Sequence, residues 1–139
     1  MQVITSKENE YVKHIKKLKD KKYRDISREY IVEGIKMVAE AIAENCKIKQ
    51  IVICDDCEKT SNISKEQMYE IAKYDCIYVT NKIFESITGV MNPQGILAVI
   101  EKDDIKQEEI KQEDIILALD DIQDPGNLGT ILRTADSVG

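Results

Sequence analysis

Asn127 and Arg133, six positions apart in the closing stretch IILALDDIQDPGNLGTILRTADSVG, are polar residues whose placement suits chemistry. Ile115 to Leu119 is a continuous apolar run of strand length, the pattern of a strand covered on both faces. Asp120 to Gly126 supplies turn chemistry, with Pro125 fixing φ and Gly126 permitting a positive one. Asn127 suits the N-cap of a following helix, in which Leu128, Ile131, Leu132 and Ala135 fall at i, i+3, i+4 and i+7. One face of that helix is therefore apolar, and Arg133 lies off it. A loop and helix N-terminus after a parallel strand is where open α/β sheets place ligands. The same residues also have a plain structural explanation, with Asn127 as a cap and Arg133 paired to Asp136 at i+3.

Two further groups invite chemistry. Between Lys13 and Arg28 stand eight Lys and Arg against two Asp, although the net charge is −6, and the acids concentrate between Glu101 and Asp124. In a generic protein such a run is a solvated helix face. It is also able to track a phosphate backbone, with an affinity that falls steeply with salt. Tyr23 and Tyr30 beside it could stack on an unpaired base, Tyr23 being the better candidate, although core packing is the default for a lone Tyr. Cys54 and Cys57 make a CxxC at the end of a strand, yet no second pair completes a zinc site and His14 is the only histidine, so no metal is expected. The motif follows a strand rather than opening a helix that would lower a thiol pKa. Reduced structural thiols are the better reading and a redox dithiol the weaker one.

These residues need a scaffold. A length of 139 residues with 42% hydrophobic content allows one ordinary domain with a real core and leaves little for a second. Neither an apolar run of membrane-spanning length nor a charged-then-apolar leader is present, so a soluble, cytoplasmic protein away from membranes is expected. Thr5 with Glu8 reads as a capping box opening a helix with Val12, Ile15 and Leu18 on its apolar stripe. Glu29 to Glu33 reads as a strand, and Gly34 opens a helix with Ile35, Val38, Ala39, Ile42 and Ala43 on one face. Gln50 to Cys54 is the next strand. Ser64 and Gln67 cap a helix carrying Met68, Ile71 and Ala72, and Cys76 to Val79 is a third strand. Thr80 to Ile87 is a short helix and Gly95 to Ile100 a fourth strand. The alternation predicts a mainly parallel sheet with helices on both faces, a three-layer α/β/α sandwich closing by about Glu101. Lys102 to Asp114 is acidic and glutamine-rich, the composition of an exposed linker.

The ordered run Asp124, Pro125, Gly126, Asn127, Gly129, Arg133, Thr134, Ala135 and Gly139 resembles motif 1 of the SpoU RNA 2′-O-ribose methyltransferases, of the SPOUT superfamily with a trefoil knot. Ser6, Asn9, Val12, Lys13, Lys21 to Arg24, Glu33 with Gly34, and Asn92 to Gly95 likewise resemble that family's N-terminal substrate-binding domain, itself similar to ribosomal proteins that bind kinked RNA. The resemblance implies an RNA substrate-binding domain at 1–101, a linker at 102–114, and at 115–139 the first strand and helix of a truncated trefoil-knot methyltransferase domain. It also implies RNA, from the ribosome and not DNA, as partner, and a homodimer. Asn127 and Arg133 would then belong to the catalytic end. Contacts to RNA would come from Lys13, Lys16, Lys17, Lys21, Lys22, Tyr23, Arg24, Arg28, Glu33 and Gly34. Glu33 and Gly34 have an equal claim as a strand-to-helix turn, and Asn92 to Gly95 are first a turn.

S-adenosylmethionine would be the cofactor of the longer protein. No residue here matches motifs 2 and 3, which build its pocket, so this chain alone is expected neither to bind it nor to transfer methyl groups. A guanidinium does not readily give up its proton. Arg133 is therefore expected to hold a phosphate bidentately and stabilise a developing alkoxide, while Asn127 orients the loop or the ribose. A non-enzymatic module for structured RNA and a small redox protein using Cys54 and Cys57 are the readings from other classes.

Overall fold

In the computed structural model, residues 3–56, 62–103 and 116–138 are described. Two compact units divide the chain, Met1–Asp103 and Asp104–Gly139. The first holds strands β1 (Val3–Ile4), β2 (Glu29–Glu33), β3 (Ile48–Cys54), β4 (Cys76–Val79) and β5 (Ile96–Glu101), in the sheet order β1-β4-β3-β5-β2. Between them run helices α1 (Glu10–Lys17), α2 (Lys21–Ser27), α3 (Ile35–Ala43), α4 (Lys65–Ile71) and α5 (Asn81–Ile87). Successive residues of a strand face opposite sides of its sheet. Val52, Cys54, Leu97 and Val99 accordingly meet Val12, Ile15 and Leu18 of the α1 segment and Ile83, Phe84 and Ile87 of α5 on one face. Ile51, Ile53, Ile96, Ala98 and Ile100 meet Val38 and Ala41 of α3 and Ile71 of α4 on the other. The result is a three-layer α/β/α sandwich, as the apolar runs predict.

Strand direction departs from expectation. β4 pairs in parallel with β1 and β3, but β5 runs antiparallel to both β3 and β2, so the sheet is mixed. An apolar run reports that a strand is covered on both faces and carries no information about its direction. The first cap also differs. Asn9, rather than Thr5, accepts from the Tyr11 amide to start α1, while the Ser6 hydroxyl accepts from Glu8 N–H in the turn before it. The capping box of Ser64 and Gln67 on α4 forms as read, with both reciprocal bonds present.

In the second unit the described structure is one helix, α6 (Pro125–Val138), preceded by residues 116–124 without regular structure. The strand expected from Ile115 begins on a residue outside those described. Its remainder, Ile116 to Leu119, is exposed and unpaired with any strand among the described residues. A lone strand has no ladder, and apolar character cannot supply one. The cap expected at Asn127 is made by Asp124, whose carboxylate accepts the Asn127 amide at 2.8 Å, with Pro125 as first helical residue. A Cβ on Gly126 would come within 2.9 Å of that carboxylate oxygen, so glycine is needed for the cap to close.

Candidate functional site

The residues proposed from sequence fall into three places. The first is the end of the sheet where β2 runs into α3. Gly34 sits at φ 104° and ψ 152°, a region essentially reserved to glycine, and its amide donates to the Ile96 carbonyl at 2.9 Å. A Cβ there would approach Gln94 Oε1 to 3.0 Å. That oxygen accepts the Ile35 amide at 2.8 Å, so Gln94 caps α3 from 59 residues away. The Glu33 carboxylate accepts from the Thr88 hydroxyl and, at 3.0 Å, from the Gly89 amide. Glu33, Gly34 and the Asn92–Gly95 turn are thus brought together, with both carboxylate oxygens of Glu33 holding the loop after α5. Arg24 joins them: with Lys19, Glu33 and Gly89 it lines a cleft of about 260 Å³, and its guanidinium caps the end of α1 through the Leu18 and Lys19 carbonyls at 3.0 and 2.8 Å.

The second place is a larger cleft of about 470 Å³, at the opposite end of β2, lined among others by Tyr11, Lys13, Lys17, Tyr23, Gln50 and Asp75. Glu29 is 5% exposed and takes hydrogen bonds at 2.5 Å from both His14 Nε2 and Lys49 Nζ. An ionised carboxylate only accepts, so His14 donates from Nε2, while its Nδ1 lies 3.1 Å from the Tyr23 hydroxyl. Burial alone would raise the Glu29 carboxyl. The bonds and charges of Lys49 and His14 outweigh it and hold the group below the ordinary carboxylate value, while Lys49 is raised by the same pairing. A depressed carboxylate contributes stability above its unfolded pKa and loses it as pH falls through the folded one. Melting temperature should therefore drop as pH falls below about 4, and Glu29→Gln, costing about 1.5–3 kcal/mol at neutral pH, should flatten that step. An unchanged acid profile in the variant would assign the step to other carboxylates.

Sequence reasoning found Lys13, Lys17 and Tyr23 of this cleft and missed Glu29, Lys49, Gln50, Asp75 and Tyr11. A bulge explains part of the miss. Register slips between Ile48 and Gln50 against β5, so Lys49 and Gln50, neighbours that a regular strand would send to opposite faces, both line the cleft. The Tyr23 ring has Lys17 Nζ 5.5 Å over it and His14 edge-on at 5.7 Å, which leaves the exposed Tyr11 as the accessible ring. Lys13 is paired with Glu8 at 2.9 Å and Glu10 at 3.5 Å, and Arg28 Nη2 donates to the Lys102 carbonyl. Lys16, Lys21 and Lys22 make no side-chain hydrogen bond or ion pair among the described residues.

The third place is α6. Arg133 does not reach Asp136. It leans back toward the helix start, as helical side chains do, passing over Gly129 and donating to the Thr130 hydroxyl at 3.3 Å. A Cβ on Gly129 would stand 3.4 Å from Arg133 Nη1, an ordinary contact, so the guanidinium lies close over this residue. Six residues of helix place Asn127 and Arg133 about 120° apart around the axis and about 9 Å along it, and the lean of Arg133 shortens that separation. No described residue from 116 to 138 is buried. Cys54 is buried, its thiol facing Asp56 and Asn81, whereas Cys57 lies outside the described residues.

The family model for the MRM3-like substrate binding domain matches residues 9–98. The chain belongs to that family. Among curated proteins it is 32% identical over 139 residues to the 23S rRNA (guanosine(2553)-2′-O)-methyltransferase of Bacillus subtilis (strain 168), covering 100% of this chain and 52% of that protein. It is 26% identical over 136 residues to an uncharacterized tRNA/rRNA methyltransferase of Synechocystis sp., covering 98% of this chain and 49% of that one. An rRNA methyltransferase from Sinorhizobium meliloti has the same fold, with TM-score 0.76 and 32% identity over 99% of this chain and 52% of its own. The resemblance to SpoU-type RNA methyltransferases is therefore shown, and the chain spans about half the length of the relatives it matches.

Proposed function

We propose that this chain is the RNA-binding part and first catalytic motif of a SpoU-type RNA 2′-O-ribose methyltransferase acting on ribosomal RNA in the cytoplasm, with S-adenosylmethionine as the methyl donor of the whole protein. In this reading residues 1–101 grip the substrate, 102–114 link, and 115–139 open the trefoil-knot methyltransferase domain. The observation that carries it is the arrangement of α6. Asp124 takes over the capping, which releases the Asn127 side chain, and the exposed Arg133 guanidinium lies back over Gly129 and Thr130 toward the same end of the helix. There Arg133 presents a planar fork to a phosphate and a fixed positive charge to a ribose oxygen as it loses its proton. Asn127 supplies a carboxamide to orient the ribose. The 2′-hydroxyl also separates RNA from DNA as substrate. Labelled S-adenosylmethionine with the whole protein should place label on ribosomal RNA at a backbone position that resists alkaline cleavage. Label on a base would sink the ribose assignment.

A homodimer belongs to the same proposal. Leu128 and Leu132 are 36% and 54% exposed on α6. Covering such side chains is worth about 1.5–3 kcal/mol each, so the face favours a second copy. Sedimentation should show concentration-dependent association that Leu128→Asp with Leu132→Asp weakens at least tenfold, each substitution removing about that much contact energy, while unit one stays folded. A chain that remains monomeric at high concentration would refute this face as the interface.

A further inference from the structure

The cleft at the Glu29 end of β2 lies at the opposite end of that strand from the Glu33–Gly34 turn, and the bulge at Lys49 sends two neighbouring side chains into it. Its volume, about 470 Å³, is that of a small-ligand pocket. Its charges are largely satisfied internally. Lys49 is held by Glu29, Lys13 by Glu8 and Glu10, and Lys17 lies over the Tyr23 ring. A phosphate would have to compete with each of these pairings. What remains for a ligand is the ring of Tyr11, 52% exposed at the rim, with the Asp75 carboxylate, that of Glu10, whose contact to Lys13 is long at 3.5 Å, and the Gln50 carboxamide, which donates to Asp75 at 3.1 Å. Carboxylates accept only. The complementary ligand is flat, uncharged and carries N–H donors on its edge.

We propose that this cleft receives one unpaired nucleobase of the RNA substrate, stacked on Tyr11 and read through its exocyclic amino group by Asp75 or Glu10. This rests on the RNA reading above. Guanine, adenine and cytosine carry such an amino group and uracil does not. Base capture of this kind is how single-stranded positions in RNA are specified, each stacked base adding an increment that alanine substitution of the ring removes.

The test titrates the chain with guanosine, adenosine, cytidine and uridine while the Gln50 side-chain amide and the His14 ring are followed by NMR. An amino-bearing nucleoside should give saturable shifts at both. Uridine should bind about fivefold more weakly or worse, and Tyr11→Ala and Asp75→Asn, both at exposed residues, should each weaken the best nucleoside by about fivefold. Affinity should hold between about 50 and 300 mM salt, because no phosphate is neutralised. An RNA hairpin with an unpaired loop should displace the nucleoside, and a blunt duplex of the same length should not. Absence of shifts at these residues, or an equal response to all four nucleosides, overturns the proposal. A hairpin that binds but leaves the nucleoside in place overturns it while the RNA reading stands. A hairpin that does not bind at all removes the RNA reading, and any nucleoside shifts then belong to a free nucleoside.

Discussion

Replacing Lys16, Lys17, Lys21 and Lys22 together by glutamate should abolish binding of structured RNA by this chain. Lys16, Lys21 and Lys22 make no side-chain hydrogen bond or ion pair among the described residues and so are open to phosphates, while Lys17 has only its contact with the Tyr23 ring to give up. Four phosphate contacts give a log–log salt slope of about −2.8 to −3.6, which means the unmodified chain loses roughly 50- to 150-fold in affinity between about 50 and 200 mM salt. Reversal removes those contacts and places four carboxylates against the backbone. The fold should survive. Lys21 and Lys22 open α2, where an acid is favoured by the helix dipole, whereas Lys16 and Lys17 close α1, where it is disfavoured. Each effect is about 0.3–1 kcal/mol and the two pairs offset. Filter binding at two salt concentrations reads the result. Unchanged affinity in a folded variant would remove the basic segment from the site.

In the whole protein, Arg133→Ala should lower kcat for methyl transfer by about 10²- to 10³-fold, the usual loss when one group aimed at a developing oxyanion is removed. Stability should barely move, since the side chain is exposed and its one hydrogen bond among the described residues, to Thr130, is long. Arg133→Lys keeps the charge and loses the fork, so it should recover part of the rate if charge dominates and little if bidentate grip on a phosphate does. Single-turnover rates with ribosomal RNA distinguish the two. A rate within a few-fold of the unmodified protein for Arg133→Ala would take Arg133 out of the chemistry.

Much of the scaffold was legible in sequence because it rests on local pattern. β2 and β4 begin and end where their apolar runs do, and the cap of Ser64 with Gln67 was written within four residues. Competition between neighbouring caps was harder to read. Thr5, Ser6 and Asn9 all suit the start of α1, as Asp124 and Asn127 both suit α6, and the winner depends on which residue leaves the helical backbone first. The site was legible where it is made of consecutive charge and opaque where it is made of tertiary pairing. Glu29 meets His14 and Lys49 from 15 and 20 residues away, and Gln94 reaches Ile35 across 59. Arg24 reads in sequence as another cation for RNA, and its Nη1 also closes the end of α1, a use that becomes visible only once α1 and α2 are folded against each other.

The place of β5 in the sheet bears on how the chain is made. β2 is complete once residue 33 has been synthesised, yet its only sheet partner among the described residues is β5, which begins at Ile96. At synthesis rates of roughly 5 to 20 residues per second, β2 waits about 3 to 13 s on the ribosome before β5 appears. During that time Tyr30, Ile31 and Val32 form a short apolar segment of high β-propensity, the kind that pairs with the wrong chain. Glu29 and Glu33 flank it on either side. The two acids that later anchor the cleft and the loop after α5 would, in the nascent chain, serve first as gatekeepers against aggregation.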